Sequence, residues 1–156
     1  AQTDPFANIN STVIGRSNPP SVRPPGAGGA PEIAASCGEV LITLRQSPRA
    51  FVNTLDFITS VGYLDGGDSR DRLRLPGKGP MAVITDLGVL TPDPVTKELV
   101  LTSIHAGVAV ADVVAATGWP LKVAPRMAVT ALPSDHELAV LRDLLARTAR
   151  AHAGDA

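Results

Sequence analysis

The chain has 156 residues, 44% of them hydrophobic and 19% charged, and its formal net charge is −1 at pH 7. That length suits one domain able to bury a real core, and so small a net charge argues against nucleic acid or an acidic partner held by charge. With three Phe, one Trp and one Tyr, the interior must be built from Val, Leu, Ile and Ala, which suits a parallel sheet covered by helices. One cysteine, Cys37, excludes an internal disulfide and fits a reducing, cytoplasmic setting. No apolar run approaches the roughly 20 residues of a membrane-spanning helix, so no membrane partner is expected. The opening Ala1-Gln2-Thr3-Asp4 carries neither an initiator Met nor a secretory signal and reads as the continuation of an upstream segment.

In chain order, a first loop leads into the short β-rich run Ser11-Thr12-Val13-Ile14, followed by Gly15 and a polar turn. Asn8 and Asn10 flank Ile9 just before it. Asparagine beside a turn ordinarily caps the backbone, and a place on the substrate side of a site is the alternative. Arg23 to Ile33 then sets three glycines and three prolines ahead of an apolar run. Glycine reaches backbone angles closed to other residues, and proline suits the first turn of a helix. Gly28-Gly29-Ala30 followed by Pro31-Glu32-Ile33 is therefore expected to be a tight loop opening a short helix, closed at Gly38. Exposed N–H groups there make a site for an anion or a developing oxyanion. The plainer alternative is a simple turn.

Glu39 to Leu44 reads as a strand buried on both faces. Thr59 to Arg70 is a long Gly-rich polar loop, and the mixed signs of Asp65, Asp68, Arg70, Asp71, Arg72 and Arg74 read as a solvated surface. Pro76-Gly77-Lys78-Gly79-Pro80 lacks the spacing of a phosphate-binding P-loop. Met81 to Ile84 is a second buried strand. Gly88-Val89-Leu90 and Leu99-Val100-Leu101 flank a turn and suggest a strand pair. Val108 to Thr117 is helical, Leu121 to Val123 a last short strand, and Ser134-Asp135-His136-Glu137 a capping box opening a helix over about 134–152. The alternation of strands and helices is an α/β pattern: an open, mostly parallel sheet with helices on both faces, as one domain over 1–156.

Convincing catalytic residues are scarce. Cys37 falls at the C-terminal end of a short helix, where thiols are not activated, and is expected to be buried and structural. The histidines His105, His136 and His152 have no metal-ligand spacing, and only His105 is a site candidate, with capping or packing the plainer role. No metal is expected.

Several blocks together carry a resemblance. Asn8-Ile9-Asn10-Ser11-Thr12-Val13-Ile14-Gly15, Pro25-Gly26-Ala27-Gly28-Gly29-Ala30-Pro31-Glu32-Ile33-Ala34, Phe57 to Tyr63, Val83 to Val89, Leu101 to Val108 and Ala115 to Leu121 occur in this order over nearly the whole chain. In this order they resemble the family I CoA-transferases, specifically the β subunit of the glutaconate and 3-oxoadipate type. The resemblance implies a CoA-transferase-like α/β fold, a homologous α subunit as partner, and small-molecule substrates, an acyl-CoA and a carboxylic (dicarboxylic or oxo) acid. It implies no permanently bound cofactor, coenzyme A entering only as the substrate thioester. A glutamate attacks the acyl-CoA, and a glutamyl-CoA thioester passes CoA to the second acid. Gly26, Gly28, Gly29 and Ala30 then form the loop beside the thioester. The family's Ser-Glu-Asn-Gly type motif, which supplies that glutamate, is absent from this sequence, and Glu32 and Glu39 fall elsewhere in the pattern. No catalytic residue is therefore assigned here. The chain is expected to be the C-terminal portion of a β subunit, inactive alone. Hydrolysis or decarboxylation of an acyl-CoA on the same fold, or a non-enzymatic binding module, are the alternatives.

Overall fold

A computed structural model describes residues 1–154; the last two residues of the expected 1–156 domain lie outside them. A short antiparallel pair, β1 (Gln2–Thr3) and β2 (Ile9–Asn10), precedes helix α1 (Ala30–Ser36). The main sheet follows: β3 (Val40–Thr43), β4 (Pro80–Ile84), β5 (Gly88–Pro92), β6 (Leu99–Ile104) and β7 (Lys122–Val129), hydrogen-bonded in chain order. A one-turn helix α2 (Ser69–Arg72) lies in the β3–β4 connection and α3 (Val110–Ala115) in the β6–β7 connection; α4 (Asp135–Ala153) ends the described chain. No helix among the described residues is long and apolar enough to cross a membrane.

The α/β expectation holds, but the sheet is mixed rather than mostly parallel. β3–β4 and β6–β7 are parallel, whereas β4–β5 and β5–β6 are antiparallel. Connection length decides this, because a tight turn can only reverse a strand and parallel neighbours need a long crossover. Between β4 and β5 the Thr85 hydroxyl accepts the Leu87 and Gly88 N–H groups, both at 3.0 Å. Between β5 and β6 the Asp93 carboxylate accepts from Val95 and Thr96, which closes the hairpin.

Phe51, Val83, Leu90, Leu99, Leu101 and Val113 are fully buried, and Phe51 stacks on Trp119 with ring centroids 5.8 Å apart. Buried Gln46 ties three elements through this core. Its Nε2 donates to Thr117 Oγ1 (2.8 Å) and its Oε1 accepts from Thr85 Oγ1 (2.9 Å).

Local expectations fail where tertiary context decides. The strand foreseen at 11–14 is cut short because Asn10 Oδ1 accepts the Thr12 and Val13 N–H groups and turns the chain. β3 is not buried on both faces: it pairs only with β4, and Leu41 is 63% exposed. β7 runs well beyond Val123 and tolerates Pro125 because it also lies at an edge. The Ser134–Glu137 capping box forms as expected and Gly154 (φ 83°) closes the helix, yet α4 buries none of its residues.

Gln46→Ala removes one hydrogen bond from each of the Thr85 and Thr117 hydroxyls, which keep the Gly88 and Val113 carbonyls, and leaves a cavity at a buried position. It should lower unfolding free energy by about 2–3 kcal/mol in a urea titration; a loss under 0.5 kcal/mol would show that the bridge is dispensable.

Candidate active site

The Gly-rich loop is built from both sides. Gly26 donates its N–H to the Ser11 carbonyl (2.7 Å), and the Ser11 hydroxyl donates back to the Gly26 carbonyl (2.8 Å). Ser11 is in turn fixed by Thr59, whose Oγ1 accepts the Ser11 N–H at 2.8 Å. Gly26 (φ 103°) and Gly28 (φ 53°) adopt left-handed backbone angles, so the turn requires glycine. Ala30 closes it onto Ala27 (3.2 Å), and Pro31 occupies the first turn of α1.

The N–H groups of Gly28 and Gly29 find no acceptor among the described residues. Both residues are exposed, and a Cβ built on either would meet nothing within 4 Å. Two adjacent donors are thus left unbonded on an exposed backbone held by its neighbours, and such donors are open to an anionic oxygen. With only seven residues, α1 adds little dipole to these donors.

The far end of α1 is held by Arg70. Its Nη2 donates to the carbonyls of Ala34 (3.2 Å) and Ala35 (3.0 Å), the last turn of the helix, and to Gly77 (2.8 Å). Nε donates to Gly77 (3.1 Å) and Nη1 to Gly62 (2.8 Å). Arg70 is only 6% exposed, so the solvated surface expected for this cluster does not include it; its burial pulls its pKa down. Asp65, Asp68 and Arg72 do remain exposed, and Arg72 pairs with both carboxylates.

Asn8 and Asn10 do not present themselves to a substrate. Asn8 is fully buried: Oδ1 accepts from Gly62 and Leu64, and Nδ2 donates to Asp4 and Leu64. Asn10 is equally committed, to Thr12, Val13 and Gln2. Backbone capping, the ordinary role, is what both perform. Asp4, which accepts from Phe6 and Asn8, has its pKa raised by burial in spite of those bonds. His105 is likewise a staple, with Nε2 2.8 Å from the Thr85 carbonyl and Nδ1 2.7 Å from the Thr130 hydroxyl. Cys37 is exposed rather than buried, because it caps α1 at a surface end. Glu32 and Glu39 are both exposed. No group of His, Cys, Asp and Glu among the described residues could hold a metal ion.

One feature escapes sequence reasoning. A largely apolar cleft of about 250 Å³ runs from Ala30 along Ile33 and Ala34 and is walled by Ile9 and β3. Ser60 lines it, 2% exposed, with an Oγ that has no hydrogen-bond partner. The scaffold is testable through Asn8→Ala, which strands the Gly62 and Leu64 N–H groups in the interior. Urea unfolding should register a loss of about 3 kcal/mol, and a change below 1 kcal/mol would remove Asn8 from the scaffold.

Residues 1–116 match the family described as coenzyme A transferase. The chain is 56% identical over 152 residues to the β subunit of the 3-oxoadipate CoA-transferase of Pseudomonas knackmussii, covering 97% of this chain and 58% of that one. It is 41% identical over 124 residues to the β subunit of the glutaconate CoA-transferase of Acidaminococcus fermentans, covering 79% and 46%. The crystal structure of the Acidaminococcus fermentans glutaconate coenzyme A-transferase superposes with a TM-score of 0.83 at 37% identity, over 91% of this chain and 54% of that one. Rhodococcus jostii IpdAB superposes at 0.77 with 25% identity, covering 90% and 56%. The chain therefore spans about half the length of the relatives it matches. On the family match and these identities, the chain belongs to the coenzyme A transferase family.

Proposed function

We propose that these residues form the oxyanion-binding part of a CoA-transferase β subunit, which works with a homologous α subunit in the cytoplasm. The observation that carries this reading is the pair of free N–H donors at Gly28 and Gly29 beside an apolar cleft. A glutamate carboxylate outside these residues attacks the acyl-CoA carbonyl and expels CoA thiolate, leaving a mixed anhydride. The thiolate returns to the glutamyl carbonyl, releases the first acid and forms the glutamyl-CoA thioester. The second acid attacks that thioester and again expels thiolate. Thiolate then attacks the new acyl carbonyl, which restores the carboxylate and completes transfer. Each attack on a carbonyl places negative charge on an oxygen, and in this reading the unbonded Gly28 and Gly29 N–H groups hold it. The 3-oxoadipate and glutaconate relatives support a dicarboxylic or oxo acid as substrate.

Gly29 has φ −89°, about 10° beyond the usual proline range, and open space around its Cβ position, so proline there deletes one donor at the cost of a small backbone adjustment. In the full protein, Gly29→Pro should lower kcat for CoA transfer by roughly 10²- to 10³-fold, whereas Gly29→Ala, which keeps the N–H, falls far less. Equal losses in the two variants would refute the oxyanion role. CoA released to water at the wild-type rate of turnover, with none reaching a second acid, would make the protein a hydrolase instead.

A further inference from the structure

A second cavity, of about 220 Å³, lies between the Tyr63–Gly67 loop and the Gly77-Lys78 turn. Arg70, Lys78 and Lys97 line it against a single carboxylate, Asp71. None of the three cations has a carboxylate within ion-pair distance among the described residues, since Asp65 and Asp68 are engaged by Arg72. Lys97 is held in place by the Pro94 carbonyl (2.9 Å) and the Tyr63 ring (5.6 Å to its centroid). Arg70 is more than nine-tenths buried, and its Nη1 bonds only the Gly62 carbonyl, which leaves a second Nη1 proton without an acceptor. A buried guanidinium whose hydrogen bonds all go to neutral carbonyls has no counter-ion in contact and favours an anion beside it. The volume falls below the roughly 300 Å³ at which drug-sized ligand sites begin, so the cavity suits a phosphate group rather than a whole nucleotide.

We propose that this cavity binds a phosphate group and that, in the CoA-transferase reading on which the identity of its source rests, the phosphate belongs to the nucleotide end of the CoA substrate. The spacing agrees. Arg70 grips Ala34 and Ala35 at one end of α1, and the Gly loop opens the other. Seven helical residues separate the two by roughly 10 Å. Pantetheine, an amide chain, reaches roughly 15 Å when extended at ordinary bond lengths. The thioester can therefore lie at the loop while a phosphate sits in the cavity. The diphosphate and the 3′-phosphate offer the same chemistry to three cations.

The test uses the intact protein and a Lys78→Ala/Lys97→Ala double variant, whose exposed or half-exposed side chains are not part of the core. Three substrates with the same acyl group are compared: the CoA ester, the dephospho-CoA ester and the pantetheine ester. The double variant should lose roughly tenfold or more in kcat/KM with the CoA ester, chiefly in KM, and nothing with the pantetheine ester. If the loss vanishes with the dephospho-CoA ester, the cavity holds the 3′-phosphate; if it persists, the diphosphate. Unchanged KM for the CoA ester overturns the proposal. Should the wild type transfer no CoA at all, the CoA-transferase reading fails first. Calorimetry with inorganic pyrophosphate then decides the cavity: binding lost in the double variant sustains a phosphate site, and no binding to the wild type overturns it.

Discussion

The structure around the Gly loop depends on one buried cation. Arg70 joins three segments far apart in sequence: the last turn of α1, the Gly62 bend and the Gly77 turn. A neutral side chain of similar size could fill the space but not satisfy carbonyls arriving from three directions, and a planar fork of donors can. The helix end is also where a cation is electrostatically welcome. Gly62 is pinned in its turn by Asn8, and a Cβ there would lie 2.4 Å from the Ala7 carbonyl carbon. The short β1–β2 pair, the α1 helix and the polar loop thus form one hydrogen-bonded assembly on the flank of the sheet.

That assembly explains how an exposed loop can be rigid enough for chemistry. Stabilising a developing oxyanion requires donors already in position, because reorganising them during reaction forfeits the gain. Ser11 holds Gly26 by two bonds at the front, and Arg70 and Gly77 hold the helix at the back. Between these anchors, Gly28 and Gly29 keep their N–H groups free. The apolar cleft alongside lowers the local dielectric and so strengthens whatever those donors bind.

Much of this was legible in the residues. Glycine and proline density marked the loop, since few other residues turn the chain at φ 53° and φ 103°. The Ser134–Glu137 spacing announced the start of α4, because capping is a local interaction read within one turn. Arg70 was not legible. It sits in a run of alternating charge, and only the return of the chain at Gly62 and Gly77 distinguishes it from Arg72 and Arg74. The exposure of Leu41 was hidden for the same reason: an apolar strand at the edge of a sheet has the same composition as one in the middle. Likewise nothing local separates the buried, unpartnered hydroxyl of Ser60 from the hydrogen-bonded hydroxyl of adjacent Thr59.

The most direct test of the central claim is native-state amide hydrogen exchange on Arg70→Lys, which keeps the charge and loses the fork. If Arg70 positions the loop, protection at the Ile33 and Cys37 amides of α1 and at Gly26 should fall by about 100-fold, on the order of 3 kcal/mol. The β5–β6 hairpin should keep its own. Protection in α1 and at Gly26 equal to that of the parent protein would contradict the account, for the helix and its loop would then stand without the guanidinium.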